Sequence, residues 1–419
     1  MRILLARSIQ VGYVPVLIIS MALMFARTLL AAKLVDVSEF GLFGFGVLIS
    51  NSFCMLSCFG FYLLLQRDLP MLVAKRRHVR GGIILHQALV LALVCFTCFL
   101  PFAFVGMFST SSLFFAISLL NGLAQQIFLV VTLQSRCEGR SMRFAVDNLL
   151  RAFWLIIAMG VSGWITKDSS MMLLAESFVT FVMVVRIYYT LGNQYEIPYT
   201  ALWVGAIHQL SKVNWTSSLT LMATGILAFA ILNGDRWIAA SLLHRDEYAL
   251  YTFVGILLIL SQALQSVINV SVFPMLARTY ALRGNKTAAQ NAIKYSIITL
   301  LATLFLSIPS LLLTKEIIKI FFLEYASSQL LLPLFFLIGS IRVSDFLTSY
   351  LIIAGKERIL LAINIFSFVL PTIVWIFVFR FNFTEVNSLS IASFALCIAV
   401  FNYVSCLLTA VYFMKANHD

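Results

Sequence analysis

Apolar runs of about twenty residues recur along this 419-residue chain, and that recurrence restricts its fold more than any other feature. Each run is long enough to cross the roughly 30 Å hydrocarbon core of a bilayer as a helix. Only 11% of residues are charged and 61% are hydrophobic, whereas about 25% of an ordinary soluble domain is charged. The expected fold is an all-α polytopic membrane protein with about twelve transmembrane helices.

In order, the runs fall near residues 11–32, 40–65, 82–107, 113–134, 148–166 and 171–190. A second set follows near 213–243, 249–273, 295–313, 329–353, 360–379 and 389–414. The net charge of +12 does not point to nucleic acid, because the cations sit in short links between apolar runs. The link from Gln66 to Gly81 is the densest, with Arg67, Lys75, Arg76, Arg77 and Arg80. It is assigned to the cytoplasm, as positively charged links are retained there. On this arrangement roughly 18 of the 29 lysines and arginines fall in inside links and roughly 6 in outside ones. Both termini are therefore expected in the cytoplasm, and the short outside links leave no periplasmic domain.

Residues 191–212 lack a spanning run. Leu202, Trp203, Ala206, Ile207 and Leu210 share one helical face there, which predicts an interfacial helix. The expected division is an N-terminal six-helix lobe (1–195), a cytoplasmic linker (196–212) and a C-terminal six-helix lobe (213–419).

The two halves also match in sequence. Arg27, then Glu39-Phe40-Gly41-Leu42-Phe43, then Pro70-Met71-Leu72 is echoed by Asp235, then Glu247-Tyr248-Ala249-Leu250-Tyr251, then Pro274-Met275-Leu276. Ala31-Ala32 falls opposite Ala239-Ala240. A repeat spanning half the chain is an architectural signal, and transporters are frequently built this way. Six helices separate equivalent positions, so the repeat is expected to be parallel, about an axis along the membrane normal.

No P-loop, GxSxG or HExxH occurs, and His86 stands alone in an apolar run. The seven cysteines include Cys95-Phe-Thr-Cys98 in mid-run with no partner pair, which reads as small apolar packing. Neither a cofactor nor a metal site is expected.

The informative residues are the charges inside helices. Each costs roughly 2.5–3.5 kcal/mol in lipid on insertion scales, so such groups face protein or a wet cavity. Arg27 and Asp235-Arg236 lie well inside their helices, and Arg342 and Asp345 share one face of a single expected helix. These five are the candidate substrate-binding residues, read as a cationic cavity between the lobes that receives an anionic group. Asp147, Arg151 and Glu176 lie near helix ends and read as structural.

With these residues in view, the chain resembles the polysaccharide-transport, O-antigen flippase (Wzx-type) family. The shared superfamily also holds multidrug/toxin extruders and lipid II flippases. The resemblance rests on about twelve helices in two matching halves, Glu39-Phe40-Gly41-Leu42-Phe43, and Asp235-Arg236 followed by Glu247-Tyr248-Ala249-Leu250-Tyr251 and Phe273-Pro274. Ala249 departs from the glycine usual in that element.

The resemblance implies a V-shaped exporter fold working by alternating access. Its cargo would be an undecaprenyl-diphosphate-linked oligosaccharide, moved from the cytoplasmic to the periplasmic leaflet of the bacterial inner membrane for O-antigen and lipopolysaccharide biosynthesis. It also implies a cationic cavity, supplied here by Arg27, Asp235, Arg236, Arg342 and Asp345. A coupling ion (proton or sodium) and other glycan-assembly membrane proteins are further candidate partners. Arginine forks suit a diphosphate because they match its oxygens bidentately. A multidrug/toxin exporter is the alternative and would need a pocket dominated by acids. A membrane-embedded polysaccharide-assembly enzyme would need a sizeable outside loop, which the link from Thr314 to Ser328 does not provide.

Overall fold

The computed structural model describes residues 12–75, 77–103, 112–192, 198–382 and 387–416, and the regular structure within them is helical. Among the described residues, twelve stretches are long and apolar enough to cross a bilayer. The sequence also suggests an uncharged outside turn at Phe108–Ser112; its residues 108–111, like residue 76 of the basic link, lie outside the described residues.

Helix α1 (Tyr13–Leu34) leads through an extended Val35-Asp36 step into α2 (Val37–Leu56). The second crossing, expected as one helix, is broken at Ser57–Gly60 and resumes as α3 (Phe61–Ala74). Cys58, Phe59 and Gly60 all adopt left-handed backbone, with φ of 65°, 49° and 75°. A side chain satisfies a carbonyl that this break exposes: Ser218 donates to Phe59 O (2.8 Å), while the Cys58 thiol turns to the Ala88 carbonyl of the next crossing (3.2 Å). Only glycine fits at position 60, because a Cβ there would run into the backbone of Ser218 and Met222.

Helices α4 (His78–Phe99), α5 (Ser112–Cys137), α6 (Ser141–Thr166) and α7 (Ser169–Gly192) complete the first six crossings. Here α1 packs on α6, and α5 is held between α2 and α7. Small residues allow the close approach: Ser50 of α2 donates to the Ser118 carbonyl of α5 at 2.7 Å.

The stretch between the two sets of crossings forms a helix, α8 (Tyr199–His208), which buries Leu202 and Ala206 against α4. His86 is its anchor. In the neutral ring, Nδ1 donates to the Gly82 carbonyl (2.7 Å), leaving Nε2 to accept the Tyr188 hydroxyl (2.8 Å). The Tyr188 oxygen in turn accepts the Trp203 indole N–H (2.9 Å).

Helix α9 (Trp215–Leu242) is followed by α10 (Arg245–Phe321), which supplies two crossings. The basic link expected between them is helical, because its Ala, Arg, Lys and Gln are good helix formers. Gly284 (φ 78°, ψ 176°) is its one non-helical residue. A straight helix would place Met275 and Tyr295 about 30 Å apart, yet the Tyr295 hydroxyl lies 3.8 Å from the Met275 sulfur. The chain therefore reverses at Gly284.

The tenth crossing is also divided, into α11 (Leu332–Val343) and α12 (Leu347–Ile353). Helices α13 (Glu357–Asn382) and α14 (Ser388–Ala416) follow. Leu276, Ala289, Phe346, Tyr350, Leu351 and Cys406 form a buried core that joins α10, the α11–α12 crossing and α14.

By packing, the chain divides into two compact units after Ile226. That point lies inside α9, beyond the linker at which the sequence suggested a division. The hydrogen bond from Ser218 to Phe59 shows why: the start of α9 packs with the first unit.

The sequence repeat has a structural counterpart. The register that aligns Glu39 with Glu247 also aligns the helix ends Leu34 and Leu242 and the helix starts Val37 and Arg245. The residues before those starts, Asp36 and His244, share a backbone geometry, with φ −63° in both and ψ of 160° and 155°. Burial follows the same register in Ala31 and Ala239, Phe40 and Tyr248, and Phe43 and Tyr251.

Candidate functional site

Two groups of deep charges emerge, one in each unit. In the first unit Arg27 is 6% exposed, and its Nη1 lies 3.1 Å from Glu176 Oε2 on α7. Asn121 of α5 donates to the same carboxylate oxygen (3.3 Å), and Gln125 fixes Asn121 (2.8 Å). The Arg27 guanidinium also stands 5.9 Å from the centre of the Phe43 ring. Arg151 lies over Phe128 at 4.6 Å and reaches Thr180 through Nε at 3.4 Å. Glu176, read from the sequence as structural, is the direct counter-charge of Arg27.

In the second unit the equivalent places carry different chemistry. Asp235, aligned with Arg27, is 2% exposed and accepts the Tyr251 hydroxyl at 2.6 Å. Tyr251 is aligned with Phe43, so one contact recurs in both units with its charge reversed: cation over a bare ring, carboxylate against a phenol. Neighbouring side chains on a helix point about 100° apart. Arg236 accordingly leaves Asp235 and donates to the Gly255 carbonyl at 2.8 Å.

Arg342 (8% exposed) and Asp345 do not sit on one continuous helix, as the sequence suggested. Arg342 is in the last turn of α11, where a cation complements the helix dipole, and Nη2 donates to the Leu232 carbonyl at 3.1 Å. Asp345 lies in the break and faces the start of α12. There it accepts the Thr348 backbone N–H (3.1 Å) and hydroxyl (2.7 Å).

Both residues line a cavity of about 180 Å³ inside the second unit. Its apolar wall includes Ile231 and Leu232 of α9, and Gln265 of α10 adds an amide. The remaining polar wall comes from Thr348, Asn364, Asn402 and Tyr403. Gln265 donates to the Asp345 carbonyl (3.3 Å) and Asn402 to Asn364 (3.1 Å). The charged residues stood out in the sequence, but these neutral ones did not. Their signal was amides within apolar runs, as at Asn364 and Asn402, which lipid contact would penalise. Among the described residues, no cluster of His, Cys, Asp and Glu is arranged to hold a metal ion.

No protein-family model and no curated protein matches the chain. Solved structures do match it. A eukaryotic MATE transporter superposes with a TM-score of 0.64 at 10% identity, covering 97% of this chain and 96% of its own. An inward-facing multidrug resistance MATE family transporter of the MOP superfamily gives 0.63 at 15% identity, over 95% and 96% of the two chains. An outward-facing structure of that description gives 0.58 at 14%, over 96% of each. The likeness is one of fold: the described residues, helical and with twelve candidate membrane spans, share the fold of these MATE transporters.

Proposed function

We propose that the protein is an exporter that moves its cargo across a bacterial cytoplasmic membrane by alternating access. The supporting observation is the fold shared with MATE transporters along nearly the whole chain. Arg27, Asp235, Arg236, Arg342 and Asp345 are the residues to which we assign cargo recognition, and a proton or sodium ion is the candidate driving partner. Both termini are placed in the cytoplasm on the distribution of Lys and Arg.

Two cargo classes have specific support. Export of drugs or toxins is favoured by the fold, since the matching structures include multidrug resistance transporters. Flipping of an undecaprenyl-diphosphate-linked oligosaccharide is favoured by the sequence elements and by the arginines at depth, and has no more support from the fold than drug export has. One experiment separates them. The protein is produced in a strain lacking its own drug exporters and in a strain deleted for its oligosaccharide flippase, with membrane abundance measured in both. Resistance to cationic drugs in the first identifies an extruder, and restored surface glycan in the second identifies a flippase. If an abundant protein does neither, both cargo readings fail.

A further inference from the structure

The two ends of the second unit differ in charge balance. The hairpin that reverses at Gly284 has Arg278 and Arg283 on one leg and Lys286 and Lys294 on the other, and all four are exposed. No Asp or Glu occurs between Glu247 and Glu316, so the hairpin contains no acid of its own. On the second leg Lys286, Gln290 and Lys294 recur every four residues and are exposed, whereas Ala288 and Ala292 are buried. That leg therefore has one packed face and one cationic face.

Lys356 and Arg358 stand at the same end of the unit. Leu276, Ala289 and Ala292 of the hairpin share a core with Leu351, Leu360 and Ala410, and the Tyr350 hydroxyl donates to Asn285 at 2.6 Å. Among the described residues, Glu357 is the single acid of this end, and none of the six cations is in an ion pair. At the opposite end Arg245, Lys315 and Lys319 face Asp246, Glu247, Glu316 and Glu324, and Lys319 pairs with Glu316 at 2.8 Å. A generally basic composition would not confine the excess to one end.

We propose that the hairpin end of the second unit is a docking surface for anionic lipid headgroups, whose phosphodiesters its cations gather from the adjacent leaflet. Reach favours a lipid over an acidic protein. The apolar crossings near 249–273 and 295–313 place Met275 and Tyr295, which touch, at the edge of the hydrocarbon. At about 1.5 Å per helical residue, Arg278 stands at most about 5 Å beyond that edge and Lys294 about 2 Å. The headgroup layer is roughly 5–7 Å deep on each side, so both lie within it. Arg283 and Lys286 reach about 12–14 Å, within one Debye length (about 8 Å) of that layer. Clusters of roughly four to eight Lys and Arg beside a crossing attract acidic lipids in this way. The Tyr350–Asn285 bond ties the surface to α12, so bound headgroups also brace the divided tenth crossing. The surface is independent of which cargo the protein moves.

The test uses the full-length protein in detergent, given dioctanoyl phosphatidylglycerol or dioctanoyl phosphatidylcholine at equal concentrations. Bound lipid is counted by native mass spectrometry, with the thermal midpoint followed in parallel. Wild type should retain phosphatidylglycerol about tenfold better or more, and the preference should shrink as ionic strength rises. Each cation removed at headgroup level should weaken the anionic lipid about fivefold, so Arg278→Gln/Lys294→Gln should erase most of the preference. Arg283→Gln/Lys286→Gln, farther out, should cost less. Arg278→Lys should retain the preference, because charge rather than the guanidinium fork is at work. Lys315→Gln/Lys319→Gln removes the same charge from the opposite end and should leave the preference intact.

Equal retention of the two lipids by wild type overturns the proposal. An equal loss in Lys315→Gln/Lys319→Gln also overturns it, because the effect then reports net charge alone. A polyglutamate peptide represents the competing partner: if it binds wild type but not Arg278→Gln/Lys294→Gln while the lipids show no preference, the surface belongs to an acidic protein. If the double variant does not fold, the single variants Arg278→Gln and Lys294→Gln, each expected to lose about fivefold, decide the matter. Phosphatidylglycerol preference without transport of either cargo class would retain the surface and count against the exporter reading alone.

Discussion

The Arg27–Glu176 pair allows the strictest test of the physical account. Both side chains are nearly inaccessible, 7% and 2% exposed, so solvent and salt screen the pair little. At a separation of 3.1 Å, and an effective dielectric of about 20, two unit charges attract by about 5 kcal/mol. Removing one partner from a buried pair is independently expected to cost about 3–5 kcal/mol, because the remaining charge stays desolvated. Glu176→Gln retains the side-chain shape and most hydrogen-bonding capacity while deleting the charge, so it should destabilise the first unit by an amount in that range. Arg27→Met should do the same. The double variant Arg27→Met/Glu176→Met should recover most of the loss, since an apolar pair of similar volume carries no desolvation cost. The assay is equilibrium unfolding in mixed micelles, with wild type, Arg27→Met, Glu176→Met and the double variant forming a double-mutant cycle. Wild-type stability of Glu176→Gln, or single losses that simply add in the double variant, would refute the reasoning. Transport by the double variant is informative in its own right: full activity would remove Arg27 from the residues assigned to cargo.

Three further outcomes follow from the geometry. Tyr251→Phe removes the 2.6 Å hydrogen bond to Asp235, leaving a buried carboxylate without that donor; a loss of about 1.5–3 kcal/mol in the same unfolding assay is expected, and an unchanged midpoint would contradict it. Gly60→Ala meets both a left-handed φ and the backbone of α9, so the protein should vanish from membranes. Gly139→Ala, at φ 74° with open space around it, should cost only about 1–2 kcal/mol and leave abundance measurable. Single cysteines at residues 278–285 should react with impermeant reagents from the cytoplasm only, and one at Ser109 from outside only; labelling of both from the same side would invert the proposed topology.

Much of the fold was legible because lipid leaves few options. Apolar length located the crossings, and the repeat put Arg27 opposite Asp235 and Ala31-Ala32 opposite Ala239-Ala240, a register that the helix ends Leu34 and Leu242 follow. The breaks were not legible. Ser344-Asp345-Phe346 contains neither proline nor glycine, and at Ser57–Gly60 one glycine, of a kind that also occurs inside the helices, was the whole signal; the unpaired backbone groups are met by distant side chains such as Ser218 and Ser296. Depth marked the charged residues correctly as special, but their partners depend on which helices meet. Glu176 lies 149 residues from Arg27, and the adjacent pair Asp235-Arg236 separates because consecutive helix positions face different neighbours.

The break in the second crossing has a consequence for biosynthesis. Phe59 and the Ser218 that binds its carbonyl are 159 residues apart. At about 5–20 residues per second, the ribosome needs roughly ten to thirty seconds to make the second after the first. During that interval the left-handed turn at Cys58–Gly60 is in the membrane without this donor. A nascent chain stalled between α7 and α9 holds six apolar crossings, yet the second of them is unfinished. Quality-control proteases that survey unpaired polar backbone in the bilayer would therefore have a defined window on this protein, closed by the arrival of Ser218 and Met222 rather than by the completion of the first six helices.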